Sequence, residues 1–406
     1  MDFNRYIVGT KISQSDKTQM KLLFHLPCYP AIGGIQTVTD IVVQELIERG
    51  YEVHIISHFE QTSAKSTKKA DGVKTFLMPD PRLHDSSQNR DYMLSVIREN
   101  KYDFIVFQDS YAPVEKTVIE SAKSANVPLI VLEHSSPDFI RNKRCLQPVY
   151  TLKGFLRQVL HPYLLHRDIR RRNYIFRNCY RYVVLSRPHI DEFSSLTRIR
   201  PDHPKFCVIP NPIYIKEPRP LAKPAKRNQI LFVGRLVKEK RVDCLLKIWK
   251  ITQPSLPEWE FIIVGDGPER KRLHYLSDRL GLSNIRFEGF KNPSKYYQES
   301  KILLLCSKME GWGMVLVEAM QYGCVPVSLD SFSSLRDIID NNKNGIVIDK
   351  KNSPEEWRNA LITLAADDGQ LTQMSEKARE KAGSFDIKRV ITHWEKLFDN
   401  EITVNR

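Results

Sequence analysis

Two doubly wound α/β domains facing a central cleft are the architecture that this sequence predicts, and three observations carry the prediction. Short runs of β-branched residues and leucine alternate with amphipathic stretches of helical period, the pattern of βαβ units and parallel sheets. The alternation runs through residues 21–209, stops, and restarts at 229. The interruption, 210–228, holds Pro210, Pro212, Pro218, Pro220 and Pro224 and has no apolar period, so it reads as a linker. A chain of 406 residues, 41% hydrophobic and 27% charged, is long enough for two full cores. Sheets of this Rossmann-like kind bind ligands beyond the carboxyl ends of their strands, which makes the cleft between the halves the expected site.

Taken in order, residues 1–20 show no periodicity and read as a disordered leader, with Met20 as an alternative start. A strand follows at Lys21–Pro27, then Gly33-Gly34, then a helix whose Ile35, Val38, Val42 and Leu46 keep one face and which Gly50 stops. Further strands are predicted at Val53–Ser57, Val73–Met78, Phe104–Phe107, Leu129–Leu132, Tyr182–Leu185 and Lys205–Ile209. Helices are predicted near Gln88–Asn100, Val114–Asn126 and after Ser186. Beyond the linker, strands fall at Ile230–Val233, Phe261–Val264, Ile285–Glu288, Ile302–Leu305, Val325–Ser328 and Gly345–Ile348, with helices between them. The second domain is expected over 229–385, and a C-terminal helix in 386–406 is expected to cross back to the first.

No apolar run approaches the roughly 18 to 20 residues that span a bilayer, and the N-terminus lacks a signal-peptide core, so the reading is a cytoplasmic chain. Seven widely spaced cysteines without a C-x-x-C read as reduced thiols. The formal charge of +14 is concentrated: Arg141–Tyr182 holds eleven Lys or Arg against one acid, Asp168. Interleaved with these cations are Phe155, Leu156, Val159, Leu160, Tyr163 and Leu164. A solvated basic face is one reading; docking on anionic lipid, on the inner face of the cytoplasmic membrane, is the other. No nucleic-acid-binding motif accompanies the charge.

The chemistry gathers in Ser307–Asp330. Glu310 sits in a loop, Gly311-Trp312-Gly313, after a buried strand, and Met314–Met320 is apolar except at Glu318. Burying a carboxylate costs several kcal/mol unless it is hydrogen-bonded. Either Glu318 pairs with an Arg or lies on the wet face of its helix, or Glu310 and Glu318 converge on a polyhydroxy ligand, with the helix amides at Met314 offering an anion site. Gly234-Arg235 follows another strand, with Lys240 five residues on. Alone the pair is an ordinary surface turn; together the two cations suit a diphosphate. Gly265-Asp266-Gly-Pro-Glu is a strand-to-helix turn, Phe290 ends the next strand, and His134 follows Leu129–Leu132, where a lone His is more often structural.

The whole word, Glu310-Gly-x-Gly, then Glu318-Ala-Met, then Gly-x-x-Pro-Val, resembles the Glu-x7-Glu signature of the family 4 retaining glycosyltransferases of the GT-B fold, bacterial surface-polysaccharide type. The resemblance covers about 21–385 and includes Gly234-Arg235-Leu with Lys240, and Gly265-Asp266-Gly-Pro-Glu. It implies a metal-independent hexosyltransferase that uses a UDP-sugar and a growing, polyprenyl-diphosphate-linked glycan. Arg235 and Lys240 would grip the diphosphate, Glu310 the donor sugar and Glu318 the ribose. His134 would contact the sugar, Gly33 and Gly34 would let backbone amides approach the phosphates, and Asp266 and Phe290 would shape the nucleotide pocket. Trp312 stands where the family more often has Phe, and Ser331-Phe-Ser-Ser also departs, which puts the choice of sugar in doubt. A non-catalytic GT-B binding protein and a GT-B epimerase or phosphorylase are the alternatives.

Overall fold

In the computed structural model of the chain, the described residues are 20–61, 70–109, 113–139, 141, 152–214, 226–349 and 353–402. They fall into two compact units, the first comprising Met1–His134, Tyr163–Tyr214 and Asp386–Arg406 and the second Ser135–Pro162 and Ile215–Phe385.

The first unit is built on a parallel sheet of seven strands: β1 (Lys21–Cys28), β2 (Glu52–Phe59), β3 (Lys74–Leu77), β4 (Phe104–Asp109), β5 (Leu129–Glu133), β6 (Arg181–Val184) and β7 (Phe206–Val208), in the order β3-β2-β1-β4-β5-β6-β7. Leu22 pairs with Val53 and Phe104, and Phe24 with Ile55 and Val106, all of them buried. Buried on both faces, such strands read as continuous apolar runs, which is why they were legible. Helices α1 (Gly34–Glu48), α2 (Ser87–Asn100) and α3 (Glu115–Ser124) make the crossovers.

A single helix, α4 (Leu152–Asn178), fills most of the basic stretch. Only amphipathic spacing is legible there in the sequence, because Pro162 lies inside it and proline removes a helical hydrogen bond. Packing carries the helix through: Asp168, Arg172, Ile175 and Phe176 are buried. After β6 comes α5 (Arg187–Thr197), and the C-terminal helix, here α13 (Ile387–Ile402), belongs to the first unit. Its Trp394 meets Phe24 at 6.5 Å between ring centroids and its Phe398 meets Phe104 at 5.3 Å.

In the second unit, β8 (Arg227–Val233), β9 (Glu260–Val264), β10 (Ile285–Gly289), β11 (Ser300–Leu305), β12 (Val325–Leu329) and β13 (Ile346–Ile348) form a parallel sheet in the order β10-β9-β8-β11-β12-β13. Around it lie α6 (Val242–Thr252), α7 (Arg270–Arg279), α8 (Ser294–Glu299), α9 (Met314–Gln321), the short α10 (Leu335–Ile338), α11 (Pro354–Ala366) and α12 (Asp368–Ala382). Trp249, Phe232 and Phe261 anchor its core. Chain order reverses between β8 and β11, so their following helices leave to opposite sides and a crevice opens between the two strand ends.

Two boundaries fall differently. The linker is shorter than 210–228: Ile213 already bridges Asp386, and β8 begins at Arg227. Ser135–Pro162, expected within 21–209, groups with the second unit. The leader 1–19 and residues 142–151 of the basic stretch, with Lys143 and Arg144, lie outside the described residues.

Candidate active site

The loops after β8, β9 and β11 in the second unit are tied together by their main chains. Gly234 N donates to Val264 O at 3.0 Å, Leu236 N to Asp266 O at 2.9 Å and Glu269 N to Leu236 O at 3.0 Å. Gly265 has φ +145°, and a Cβ added there would overlap the Gly234 carbonyl oxygen. Only glycine combines that conformation with that approach. The β11 loop joins through Lys308 N, which donates to Glu239 O at 2.8 Å.

This frame brings Lys240 and Glu310 together, 70 residues apart in sequence, with Lys240 Nζ donating to Glu310 Oε1 at 2.5 Å. Both remain partly open to solvent, at 21% and 15% of their side-chain surface. Arg235 is exposed and has no carboxylate partner among the described residues. A preformed ion pair beside an unpaired guanidinium leaves a net positive mouth, suited to an anion that can take Lys240 while Glu310 turns to hydroxyl donors.

Gly313, at φ +84°, turns the chain into α9, and Ser334 Oγ fastens the same loop by donating to Gly311 O at 2.9 Å. Leu316 N donates back to Gly313 O at 2.9 Å, which leaves the amides of Met314 and Val315 as the donors that a helix N-terminus offers to an anion. Trp312 is buried, its ring edge-on to Phe385 at 5.4 Å, so the indole serves packing and offers no exposed face.

Glu318, on the second turn of α9, pairs with no Arg among the described residues and is only partly exposed. Its Oε2 accepts the Tyr297 hydroxyl at 2.8 Å. Burial raises its carboxyl above the usual range, and the tyrosine's hydrogen bond opposes that shift. Sequence reasoning missed Tyr297, whose α8 carries no motif. Asp266 is spent on its own turn, accepting from Gly267 N at 2.7 Å and from Arg270 Nη1 at 3.2 Å. Phe290 stands 74% exposed after β10.

The remaining candidates belong to the first unit. His134, just past β5, is buried, and its Nε2 donates to Gln108 Oε1 at 2.7 Å. Gln108 Oε1 also accepts from Thr39 Oγ1 at 2.9 Å, so a polar bridge joins α1, β4 and the end of β5. Gly33 and Gly34 open α1, and a Cβ on Gly34 would meet nothing within 4 Å.

The basic stretch is corrected in part. Arg172 is fully buried, donating to Glu133 Oε1 at 2.5 Å and Asp168 Oδ2 at 2.7 Å, while the Tyr182 hydroxyl donates to Glu133 Oε2 at 2.7 Å. Arg171 is nearly buried against Glu115 at 3.1 Å. These groups answer internal charges and face no membrane. Val159, Leu160, Tyr163, Arg167 and Arg170 on α4 are exposed.

Two Rossmann-like units, the second carrying a cationic strand-end crevice beside two glutamates separated by seven residues, define a GT-B glycosyltransferase. Two family models divide the chain: "Glycosyltransferase Family 4" matches residues 32–217 and "Glycosyl transferases group 1" matches 214–381. The chain belongs to glycosyltransferase family 4 and is related to enzymes of polysaccharide and lipopolysaccharide synthesis. It is 25% identical over 389 residues to an uncharacterised glycosyltransferase of Haemophilus influenzae, covering 92% of this chain and 98% of that protein. It is 24% identical over 304 residues to a Campylobacter jejuni α-1,4-N-acetyl-D-galactosaminyltransferase named for a GalNAc-extended diNAcBac-PP-undecaprenol, covering 74% and 76%. Among solved structures, Anabaena HepE in complex with UDP and glucose shares the fold, with a TM-score of 0.71 at 18% identity, covering 94% of this chain and 100% of that one.

Proposed function

We propose that this glycosyltransferase moves a hexosyl unit from a UDP-sugar to a hydroxyl of a growing, lipid-linked glycan, with retention of configuration and without a metal. The observation that carries the reading is the Lys240–Glu310 pair in the same group of strand-end loops as the exposed Arg235, at the β8–β11 reversal. The two cations hold the diphosphate and stabilise it as charge develops on the leaving group, a task that other transferases give to a metal. Glu310 takes donor-sugar hydroxyls once Lys240 turns to phosphate, and Glu318 takes the ribose. No side chain serves as a covalent nucleophile: the acceptor attacks on the face that the diphosphate leaves, and the departing phosphate oxygen takes the acceptor's proton.

The UDP in the HepE complex and the undecaprenyl-linked substrate in the Campylobacter enzyme's name support the choice of donor and acceptor. A lipid-linked acceptor gives the exposed face of α4 a use: Val159, Leu160 and Tyr163 enter the headgroup boundary while Arg167 and Arg170 meet anionic lipid on the cytoplasmic side. No described helix is long and apolar enough to cross a membrane.

Turnover of a UDP-sugar panel tests the proposal. Lys240→Ala or Arg235→Ala should lower turnover on the order of 10²-fold, by comparison with removing one preorganised donor. EDTA should leave the wild type active; inhibition reversed by manganese or magnesium sinks the metal-free mechanism.

A further inference from the structure

We infer that Tyr297 is a positioning residue for nucleotide binding, holding one oxygen of Glu318 so that the other is presented to the ribose; this rests on the ribose role proposed above for Glu318. The side chain is fixed at every level. Its ring is 2% exposed and stacks on Tyr322 with centroids 5.9 Å apart and planes 18° from parallel. Its carbonyl accepts from Lys226 Nζ at 2.8 Å and from Cys324 Sγ at 3.0 Å, and its N–H reaches Pro293 O at 2.9 Å. Lys226 Nζ, mostly buried, also donates to Ser300 O at 2.5 Å, which clamps the end of α8 to the start of β11.

All this rigidity delivers a single donor to Glu318 Oε2 at 2.8 Å. Glu318 Oε1 accepts nothing from the described residues and is not sealed off from solvent. A carboxylate with one oxygen tethered and one open suits two neighbouring hydroxyls, because the tether fixes the carboxylate plane before ligand arrives. Packing alone does not require the hydroxyl, since phenylalanine has the same ring. The electrostatic consequence has a definite sign: burial raises the Glu318 carboxyl and the Tyr297 hydroxyl lowers it. Removing the hydroxyl therefore leaves the carboxyl neutral to a higher pH.

Calorimetric titration with UDP from pH 5 to 8 tests the inference, with Tyr297→Phe, Glu318→Gln and the double variant compared with the wild type. The nucleotide's own ionisation is common to all and cancels in the differences. Tyr297→Phe should weaken UDP roughly three- to ten-fold near neutrality, the worth of one ordinary hydrogen bond, and move the acid limb of binding to higher pH. Glu318→Gln should remove that part of the limb, and the double variant should bind UDP as Glu318→Gln does. Replacing Tyr297 with 3-fluorotyrosine, which keeps the ring and strengthens the donor, should move the limb to lower pH; it also serves as the test if the phenylalanine variant does not fold. Wild-type affinity and limb in Tyr297→Phe, or losses that add in the double variant, overturn the positioning role and leave Glu318 in place. Wild-type UDP binding by Glu318→Gln overturns the ribose assignment and the inference with it.

Discussion

At the carboxyl end of β5 in the first unit, Glu133 is enclosed by Arg172 and Tyr182, with Asp168 on the far side of the arginine; at the carboxyl end of β8 in the second, Arg235 stands exposed without a carboxylate partner among the described residues. Both are strand ends of doubly wound parallel sheets, and a charge count of the sequence does not tell them apart. The first unit closes its charges into a network in which each ion answers another, and its basic helix thereby becomes part of the core. The second uses main-chain hydrogen bonds and glycines to tie its strand-end loops together and leaves Arg235 exposed on them. At these two strand ends, full burial with compensation marks the structural charge, and partial exposure, at Arg235 and at the Lys240–Glu310 pair, marks the site.

The largest test of that contrast is Arg172→Ala. It leaves Glu133 and Asp168 buried without their cation and should cost about 3–5 kcal/mol of stability by urea denaturation. Arg235→Ala should stay within about 0.5 kcal/mol. Equal effects on stability erase the distinction. Next in size, Gly265→Ala combines an unfavourable φ with overlap on Gly234 and should cost about 2–3 kcal/mol while weakening UDP binding. Gly34→Ala, with open space around it, should leave the melting temperature unchanged.

Acid should act chiefly on the first unit. His25 is fully buried, its Nε2 3.3 Å from His58 Nε2, and burial followed by His58 pushes its pKa down to about 3. Because the folded pKa lies below the unfolded one, the unfolded chain binds the extra proton. Stability is then fully present above pH ~6.5 and falls by up to about 1.4 kcal/mol per pH unit toward pH 3. His25→Phe should flatten the slope of denaturation midpoints between pH 6 and 4; an unaltered slope assigns the acid lability elsewhere. A further test falls on the exposed cations of α4. Replacing Arg167 and Arg170 with Gln, and sparing the buried Arg172, removes about 1 kcal/mol of lipid attraction per residue. Co-sedimentation with anionic vesicles should fall roughly 30-fold, and high salt should mimic the change. Unchanged sedimentation removes lipid docking from the reading.

Much of the candidate site was legible because it is local. Glu310, the turn glycines and Glu318 lie on one strand-turn-helix passage, and Gly234-Arg235 follows its strand directly, so spacing alone places them at strand ends. Tyr297 was not legible: it meets Glu318 from another helix, 21 residues away, and a tyrosine in a short polar helix looks like any other. The orientation of Trp312 was not legible either: its ring turns inward, edge-on to Phe385.

By itself the sequence determined the strands, the two sheets and the words at their ends, because apolar period and glycine turns act over a few residues. Ile302–Leu305 was expected as a strand and lies within Ser300–Leu305. Only the tertiary structure decided which charges are neutralised. Arg170 and Arg172 sit two residues apart in one basic run, yet the helix turns Arg170 outward and Arg172 onto Glu133, 39 residues away in sequence. A side chain's electrostatic role depends on the dielectric and the partners around it, and both are set by contacts across the chain.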